Sequence, residues 1–152
     1  MNRLAFVRNV WADMLKHGGV EKVLFDQMKV VGAEPNKVVF DLPIDERHIN
    51  RLGIVHGGVL STLVDIGGSL ALCSNGVFST GVTTDLATTF LKAAGKPGQV
   101  VRMEGHCQRM GRTMAFTFVE LKNPTTGELL ARGNHTKYIA NIWNSEKNVK
   151  FD

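Results

Sequence analysis

The sequence predicts an α+β domain in which an antiparallel β-sheet wraps around one long central helix. Three observations lead to this fold class. Residues 56–73 are apolar around most of the helical circumference, which is typical of an enclosed helix. Segments on both sides of it have the short alternating pattern of strands and are joined by turns, which indicates antiparallel pairing. The length of 152 residues and the 43% hydrophobic content suit a single domain with one core.

The composition excludes several classes of protein. No apolar run approaches the roughly 18 residues of a membrane-spanning helix, so no membrane span is expected. The two cysteines, Cys73 and Cys107, are too few for a disulfide framework or a four-cysteine zinc site, and we expect buried thiols in a reducing compartment. The net charge of +4 indicates an anionic partner. Nucleic acid is not expected, because the basic residues are scattered and no aromatic-basic stacking motif occurs.

The chain begins with a helical segment, residues 1–24. Apolar residues recur at helical spacing before Gly18-Gly19, namely Leu4, Val7, Trp11, Met14 and Leu15. Arg3 and Arg8 precede the first acidic residue, so a mitochondrial presequence is an alternative. We favour an amphipathic helix packed on the domain, because this stretch lacks serine and Trp11 requires burial.

Residues 25–143 are expected to form the main domain. The β-branched segments 27–31 and 37–42 flank a turn and predict a strand hairpin. Beyond the helix, a long antiparallel meander is predicted from four segments, 81–91, 99–109, 113–122 and 128–140. The polar tail, residues 144–152, is expected to fray. An exposed sheet edge invites pairing between subunits, so we expect an oligomer.

Asp65 is the only ionisable residue on the small, polar face of the central helix. An ionised carboxylate cannot be buried alone, so it must be paired, protonated or directed into a cavity. Two interpretations therefore stay open. Asp65 is a functional group whose pKa is raised by partial desolvation, or it is a structural carboxylate that bonds to a hydroxyl such as Ser61 or Ser69.

The start of the same helix is the second candidate site. His56-Gly57-Gly58 places residues with little side chain where backbone N–H groups have no partner. Such a helix N-terminus can bind a carbonyl oxygen as it gains negative charge, as in an oxyanion hole. The alternatives are a tight turn that needs glycine and a capping role for His56.

One longer motif combines these features. The sequence resembles the signature of the hotdog-fold acyl-CoA thioesterases in Asn50-Arg-Leu-Gly53-Ile-Val-His56-Gly57-Gly58 followed by Thr62-Leu-Val-Asp65. It is most similar to the branch of phenylacetic-acid-type and thioesterase-superfamily-member-2-type (acyl-coenzyme A thioesterase 13-like) enzymes. The resemblance covers roughly residues 25–140 and continues through Gly81–Leu86, Gly111–Phe116, Thr126–Gly133 and His135-Thr136-Lys137.

The resemblance implies a hotdog fold and a set of catalytic roles. The backbone N–H of Gly57 binds the thioester carbonyl, and Asn50 and His56 shape the pocket around it. Asp65 reaches across a dimer interface and either activates water or attacks directly, while the Thr83 hydroxyl orients the water. Two such dimers are expected to join as a homotetramer.

Contacts with the CoA part of the substrate have four candidates. Gly58 permits close approach to the backbone, and Arg109, Arg112 and Lys137 are possible phosphate contacts. For each of the three basic residues a solvated surface position is an equal alternative. The small residues Gly67 and Gly68, just after Asp65, are expected to widen the acyl tunnel.

The predicted function is hydrolysis of medium- to long-chain fatty acyl-CoA to the free acid and CoA. No metal site and no separate cofactor are expected, because thioester hydrolysis needs an oxyanion donor and a base. The cytoplasm or the mitochondrion is the expected compartment. One alternative is an aryl- or phenylacetyl-CoA thioesterase, which would share the same motif. The other is a non-catalytic acyl-CoA sensor, but a protein that only binds acyl-CoA has no need of Asp65 and Thr83.

Overall fold

The computed structural model describes all of residues 1–152. The helices are α1 (Arg3–His17), α2 (Gly19–Leu24) and α3 (Gly57–Cys73), with a single 3₁₀ turn at Glu46–His48. The strands are β1 (Lys29–Glu34), β2 (Lys37–Pro43), β3 (Val82–Phe90), β4 (Val100–Met110), β5 (Met114–Lys122) and β6 (Leu129–Tyr138). None of the helices combines the length and the apolar character that a membrane crossing requires.

The strands form one six-stranded antiparallel sheet in the order β1-β2-β4-β5-β6-β3, and α3 packs against it. The predicted α+β fold class is therefore confirmed. The meander interpretation is correct for β4, β5 and β6 only. β3 does not pair with β4, which follows it in the chain. It pairs with β6 and forms the edge of the sheet. This pairing brings the residues of β3 and β6 together beside α3.

The N-terminal helix α1 is packed into the core, as expected for an amphipathic helix. Its buried residues are Phe6, Val7, Val10 and Trp11. The Trp11 indole N–H donates to the Met28 carbonyl oxygen at 3.1 Å, which ties α1 to the chain just before β1. The side chain of Asn2 caps the helix by accepting from the Ala5 N–H at 2.8 Å.

The polar tail does not fray, so that expectation is wrong. The Val149 N–H donates to the Gly76 carbonyl oxygen at 2.8 Å, just after α3. The Asn148 side chain accepts from the Phe78 N–H at 2.9 Å. The Phe151 ring packs edge-on against Phe6 of α1, with ring centroids 5.7 Å apart. Two apolar residues in an otherwise polar segment are enough to hold it on the core.

Helix α3 lies unusually close to the sheet because glycines line the contact. A Cβ on Gly67 would lie 2.9 Å from Phe40 Cζ and from a Val119 methyl. A Cβ on Gly68 would overlap His135 Nδ1 and Thr117 Oγ1. Sheet side chains therefore fill the space that these glycines leave. The expectation that Gly67 and Gly68 widen a tunnel is wrong.

The edge strand β3 is uncovered. Most of its residues are exposed, including the apolar Val82 and Phe90 at 59% and 53%. A strand with free backbone groups and exposed apolar side chains is the kind of edge that pairs with another chain. The expected oligomer stays a prediction.

Candidate active site

Asp65, Thr83 and His135 form a hydrogen-bonded cluster between α3 and the β3–β6 edge of the sheet. The Thr83 hydroxyl donates to Asp65 Oδ1 at 2.7 Å. His135 Nε2 lies 2.9 Å from the same oxygen and 2.7 Å from Thr83 Oγ1. Because the single hydroxyl hydrogen of Thr83 goes to the carboxylate, His135 Nε2 carries a proton and donates. Asp65 is thus bonded to a hydroxyl, but that hydroxyl belongs to Thr83 and not to Ser61 or Ser69, the two examples that the sequence suggested.

The second carboxylate oxygen of Asp65 is free. Oδ1 holds both hydrogen bonds, whereas Oδ2 makes none within the chain. The Asp65 side chain is 43% exposed, while the imidazole of His135 is completely buried behind it. The carboxylate is thus fixed in orientation by one oxygen and presents the other as a proton acceptor.

The pKa of Asp65 lies below its ordinary value of 3.8. The main cause is the hydrogen bond from His135, which stabilises the ionised form. Burial raises the pKa, but the Thr83 hydrogen bond lowers it, and the positive charge of Lys137 makes the smallest contribution in the same lowering direction. The expected rise through desolvation is wrong, because hydrogen bonding and charge outweigh it.

Lys137 lies inside the protein behind this cluster. Its side chain points inward from β6 and is buried at 3% exposure. The ammonium donates to Ser69 Oγ at 2.6 Å. Burial lowers the pKa of Lys137, since the charged form loses water. A buried ammonium does not meet a phosphate at the surface, so the predicted contact between Lys137 and CoA is not supported.

The helix N-terminus leaves one amide free. His56 caps α3, and its Nδ1 accepts from the Gly58 N–H at 2.8 Å. His56 therefore has the capping role, and the Gly58 N–H is already hydrogen-bonded. The Gly57 N–H donates to no acceptor in the chain. It is a helix N-terminal donor available to an external oxygen.

Asn50 shapes the loop that leads into this helix. Its side-chain oxygen accepts from the Leu52 N–H at 2.9 Å, and its own N–H donates to the Ile54 carbonyl at 2.8 Å. Gly53 closes the turn with a φ of 75°, a conformation that glycine adopts freely. The side-chain NH₂ of Asn50 makes no hydrogen bond within the chain, so it can donate outward.

The two halves of the predicted site are separate in one chain. Gly57 and Asp65 are eight residues apart on α3, and at a rise of 1.5 Å per residue this is about 12 Å along the axis. A carbonyl held by the Gly57 N–H is therefore too far from Asp65 of the same chain for water to bridge them. The structure brings Asp65 and Thr83 together, but it does not bring Asn50, His56 and Gly57 to them.

His135 was missed as a site residue, although it lay within the motif sequence. Along β6 the inward-facing positions include His135 and Lys137, two polar residues where a sheet facing a core normally carries apolar ones. These polar residues at inward-facing positions were the sequence signal that could have identified His135 as a site residue. Thr83 meets them because it pairs with Lys137 in the β3–β6 register.

Arg109 and Arg112 lie around the β4–β5 turn and are exposed. Neither forms a salt bridge. Their predicted contact with CoA phosphates stays a prediction.

A second cluster of ionisable side chains lies on the outer face of the sheet. Ligand atoms of Glu104, His106 and Glu120 lie within 4.8 Å of one another. Lys122 Nζ lies 3.4 Å and Lys37 Nζ 3.6 Å from a Glu104 oxygen. These ammonium groups balance the carboxylates, so the cluster is an ion-pair network.

The chain matches the thioesterase superfamily model over residues 52–130. Acyl-coenzyme A thioesterase 13 of Mus musculus is 37% identical over 135 residues, 89% of this chain and 95% of the mouse protein. The crystal structure of zebrafish thioesterase superfamily member 2 is similar with a TM-score of 0.81 and 33% identity, covering 91% of this chain and 99% of that one. A "hypothetical thioesterase protein" of Streptococcus pneumoniae, solved with coenzyme A, has a TM-score of 0.69 and 29% identity, covering 76% and 90%.

These similarities extend over the six-stranded sheet and its central helix, and they confirm the predicted hotdog fold. The family model spans the helix N-terminus, Asp65 and Thr83. The chain therefore belongs to the thioesterase superfamily and is a thioester hydrolase.

Proposed function

We propose that this protein hydrolyses medium- to long-chain fatty acyl-CoA to the free fatty acid and CoA. The observation that carries the proposal is the Asp65 carboxylate, held through one oxygen by Thr83 and His135 while the other oxygen is free. A carboxylate oriented in this way serves as a general base toward water. The similarity to acyl-coenzyme A thioesterase 13 supports acyl-CoA as the substrate class.

In the proposed reaction, Asp65 Oδ2 takes a proton from a water molecule as the water oxygen bonds to the thioester carbonyl carbon. The carbonyl oxygen becomes an oxyanion, which the free Gly57 N–H stabilises. The Asn50 NH₂ group lies in the loop before α3 and is a second donor for this region. Collapse of the intermediate breaks the carbon–sulfur bond, and the proton from Asp65 goes to the departing CoA sulfur. The products are the carboxylic acid and CoA thiol.

Two subunits are needed for this reaction. Because Asp65 and Gly57 are about 12 Å apart within one chain, Asp65 of one subunit must act on a carbonyl bound at Gly57 of another. The uncovered β3 supplies an edge for pairing, and it carries Thr83. We therefore propose a homodimer with two shared sites, and a homotetramer formed from two dimers.

The net charge of +4 fits a substrate that carries several phosphate charges. Arg109 and Arg112 are exposed and without acidic partners, so they are the proposed phosphate contacts. The pneumococcal structure with coenzyme A supports this ligand class. The cytosol or the mitochondrion is the proposed compartment.

A substrate panel tests the proposed function. Release of free thiol is followed with short-, medium- and long-chain acyl-CoAs and with phenylacetyl-CoA. We expect kcat/KM to be highest for the medium- and long-chain substrates. The highest value for phenylacetyl-CoA would assign the protein to aromatic substrates instead. No thiol release from any substrate, together with tight binding of acyl-CoA, would identify a sensor and contradict the proposal.

Thr83 gives a prediction within the site. Thr83→Ala removes the hydroxyl that donates to Asp65 at 2.7 Å, whereas Thr83→Ser keeps it. A hydrogen bond to a charged group contributes about 1.5–3 kcal/mol, so the alanine variant is expected to lose roughly 10- to 100-fold in kcat. The serine variant should stay within about threefold of the wild type. Equal losses in both variants would show that the methyl group, and not the hydroxyl, matters.

A further inference from the structure

The buried Lys137 takes part in no step of the proposed reaction. Its ammonium is almost completely removed from water, and Ser69 Oγ is its only hydrogen-bond acceptor. A buried ammonium is costly unless it is well paired, and an apolar residue of similar size would pack at this inward-facing position without that cost. A lysine in this setting therefore calls for a role that an apolar side chain does not fill.

The groups around the ammonium identify what it acts on. On α3, Asp65, Ser69 and Cys73 are spaced four residues apart and share one helix face. Cys73 is a neutral thiol, because burial raises its pKa to about 12. On β6 the adjacent inward-facing side chain is His135, which is bonded to Asp65. Thr83 and Thr117 flank the imidazole and do not titrate. Asp65 is thus the one negative charge that faces Lys137.

The geometry also excludes a direct chemical role. Lys137 lies behind Asp65 and His135 with no exposed path to a substrate carbonyl, so its amine does not attack a thioester. It also has no salt-bridge contact with Asp65, whose Oδ1 is occupied by Thr83 and His135. The ammonium therefore acts on the carboxylate through its charge, at a position fixed by Ser69.

We propose that Lys137 is a positioning residue for the thioesterase reaction: held by Ser69 one helical turn beyond Asp65, its buried charge stabilises the ionised Asp65 carboxylate in the orientation in which it is bonded to Thr83 and His135. The inference rests on the proposed function for its effect on rate. Its effect on the ionisation of Asp65 is independent of any substrate.

The sign of the expected pH effect follows from the charge. A lowered pKa keeps Asp65 ionised to a lower pH, and activity that requires the carboxylate is lost as the pH falls through that pKa. Removing the Lys137 charge raises the pKa of Asp65. The loss of activity on acidification then begins at a higher pH.

Lys137→Met tests this inference, because methionine keeps most of the length and removes the charge. The titration of the Asp65 side-chain carboxyl is followed by carbon-13 NMR, and kcat/KM for acyl-CoA is measured against pH. We expect both transitions to move to higher pH, and kcat/KM to fall by roughly 10- to 100-fold, as is common when a reacting group is mispositioned. Arg132→Met, on the exposed outer side of the same strand, is the matched control and should leave both transitions in place.

The outcomes separate this inference from the proposed function. If the wild type releases no thiol, the NMR titration still reports on Lys137. If Asp65 titrates at the same pH in Lys137→Met and in the wild type, the inference is overturned. Should Lys137→Met fail to fold, Lys137→Gln decides by the same titration. That variant also removes the charge but keeps an N–H donor for Ser69, so it is expected to move the Asp65 titration in the same direction, and an unchanged titration overturns the inference.

Discussion

Replacing Asp65 with asparagine is expected to lower kcat for acyl-CoA hydrolysis by about 10²- to 10⁴-fold while changing KM little. Asparagine has nearly the same size and can accept from Thr83, but its amide does not take a proton from water. The loss therefore falls on the chemical step and not on substrate binding. Thiol release under saturating and limiting acyl-CoA gives the two constants separately.

The matched control is Glu34→Gln, which makes the same chemical change at the exposed end of β1. It should keep wild-type kinetics. A value of kcat for Asp65→Asn within about threefold of the wild type would remove Asp65 from the proton transfer.

Gly68→Ala is expected to destabilise the fold by about 1–3 kcal/mol and to reduce activity as well. The added methyl group would overlap His135 Nδ1 and Thr117 Oγ1, so the imidazole must move away from Asp65 and Thr83. His135 has little room to yield, because it is completely buried. Urea unfolding measures the stability, and thiol release at a temperature where the variant is folded measures the activity.

The control for this variant is Gly19→Ala, at the start of α2. A Cβ there meets nothing within 4 Å, so the stability should change by less than about 1 kcal/mol. A Gly68→Ala protein with wild-type stability and activity would show that the contact between α3 and β6 adapts easily. His135 would then not be held as rigidly as the site requires.

The features that the sequence predicts correctly are those that depend on residues close together in the chain. The spacing of the apolar residues and the positions of the turn residues located α3 and all six strands to within a few residues. The family resemblance linked Asp65 with Thr83. What the sequence did not predict depends on which elements are neighbours. His135 meets Asp65 because α3 packs against β6. Thr83 joins them because β3 pairs with β6, although β4 and β5 separate these two strands in the chain.

The direction of the Asp65 pKa was also beyond local reasoning. From the helix alone, burial was the visible effect, and burial raises the pKa of a carboxyl group. The opposing hydrogen bonds come from β3 and β6, which lie far away in the sequence. Likewise, Gly67 and Gly68 suggested empty space until the sheet placed Phe40, Val119 and His135 against them.

In the proposed active site, Gly57 of one subunit acts together with Asp65 of another. Gly57→Pro removes the N–H with little backbone strain, because proline is favoured at the first position of a helix. The preceding residue, His56, already has the extended conformation (ψ 137°) that a following proline requires. Homo-oligomers of Gly57→Pro and of Asp65→Asn should each be nearly inactive.

Co-expressing the two variants with different affinity tags tests whether the site is shared between subunits. A heterodimer contains one intact site, formed by Asp65 from the Gly57→Pro chain and Gly57 from the Asp65→Asn chain. A random equimolar mixture of dimers is then half heterodimer, and it is expected to recover about a quarter of wild-type thiol release. A mixed oligomer that stays as inactive as its parents, or a wild-type protein that is monomeric in solution, would rule out a site shared between subunits.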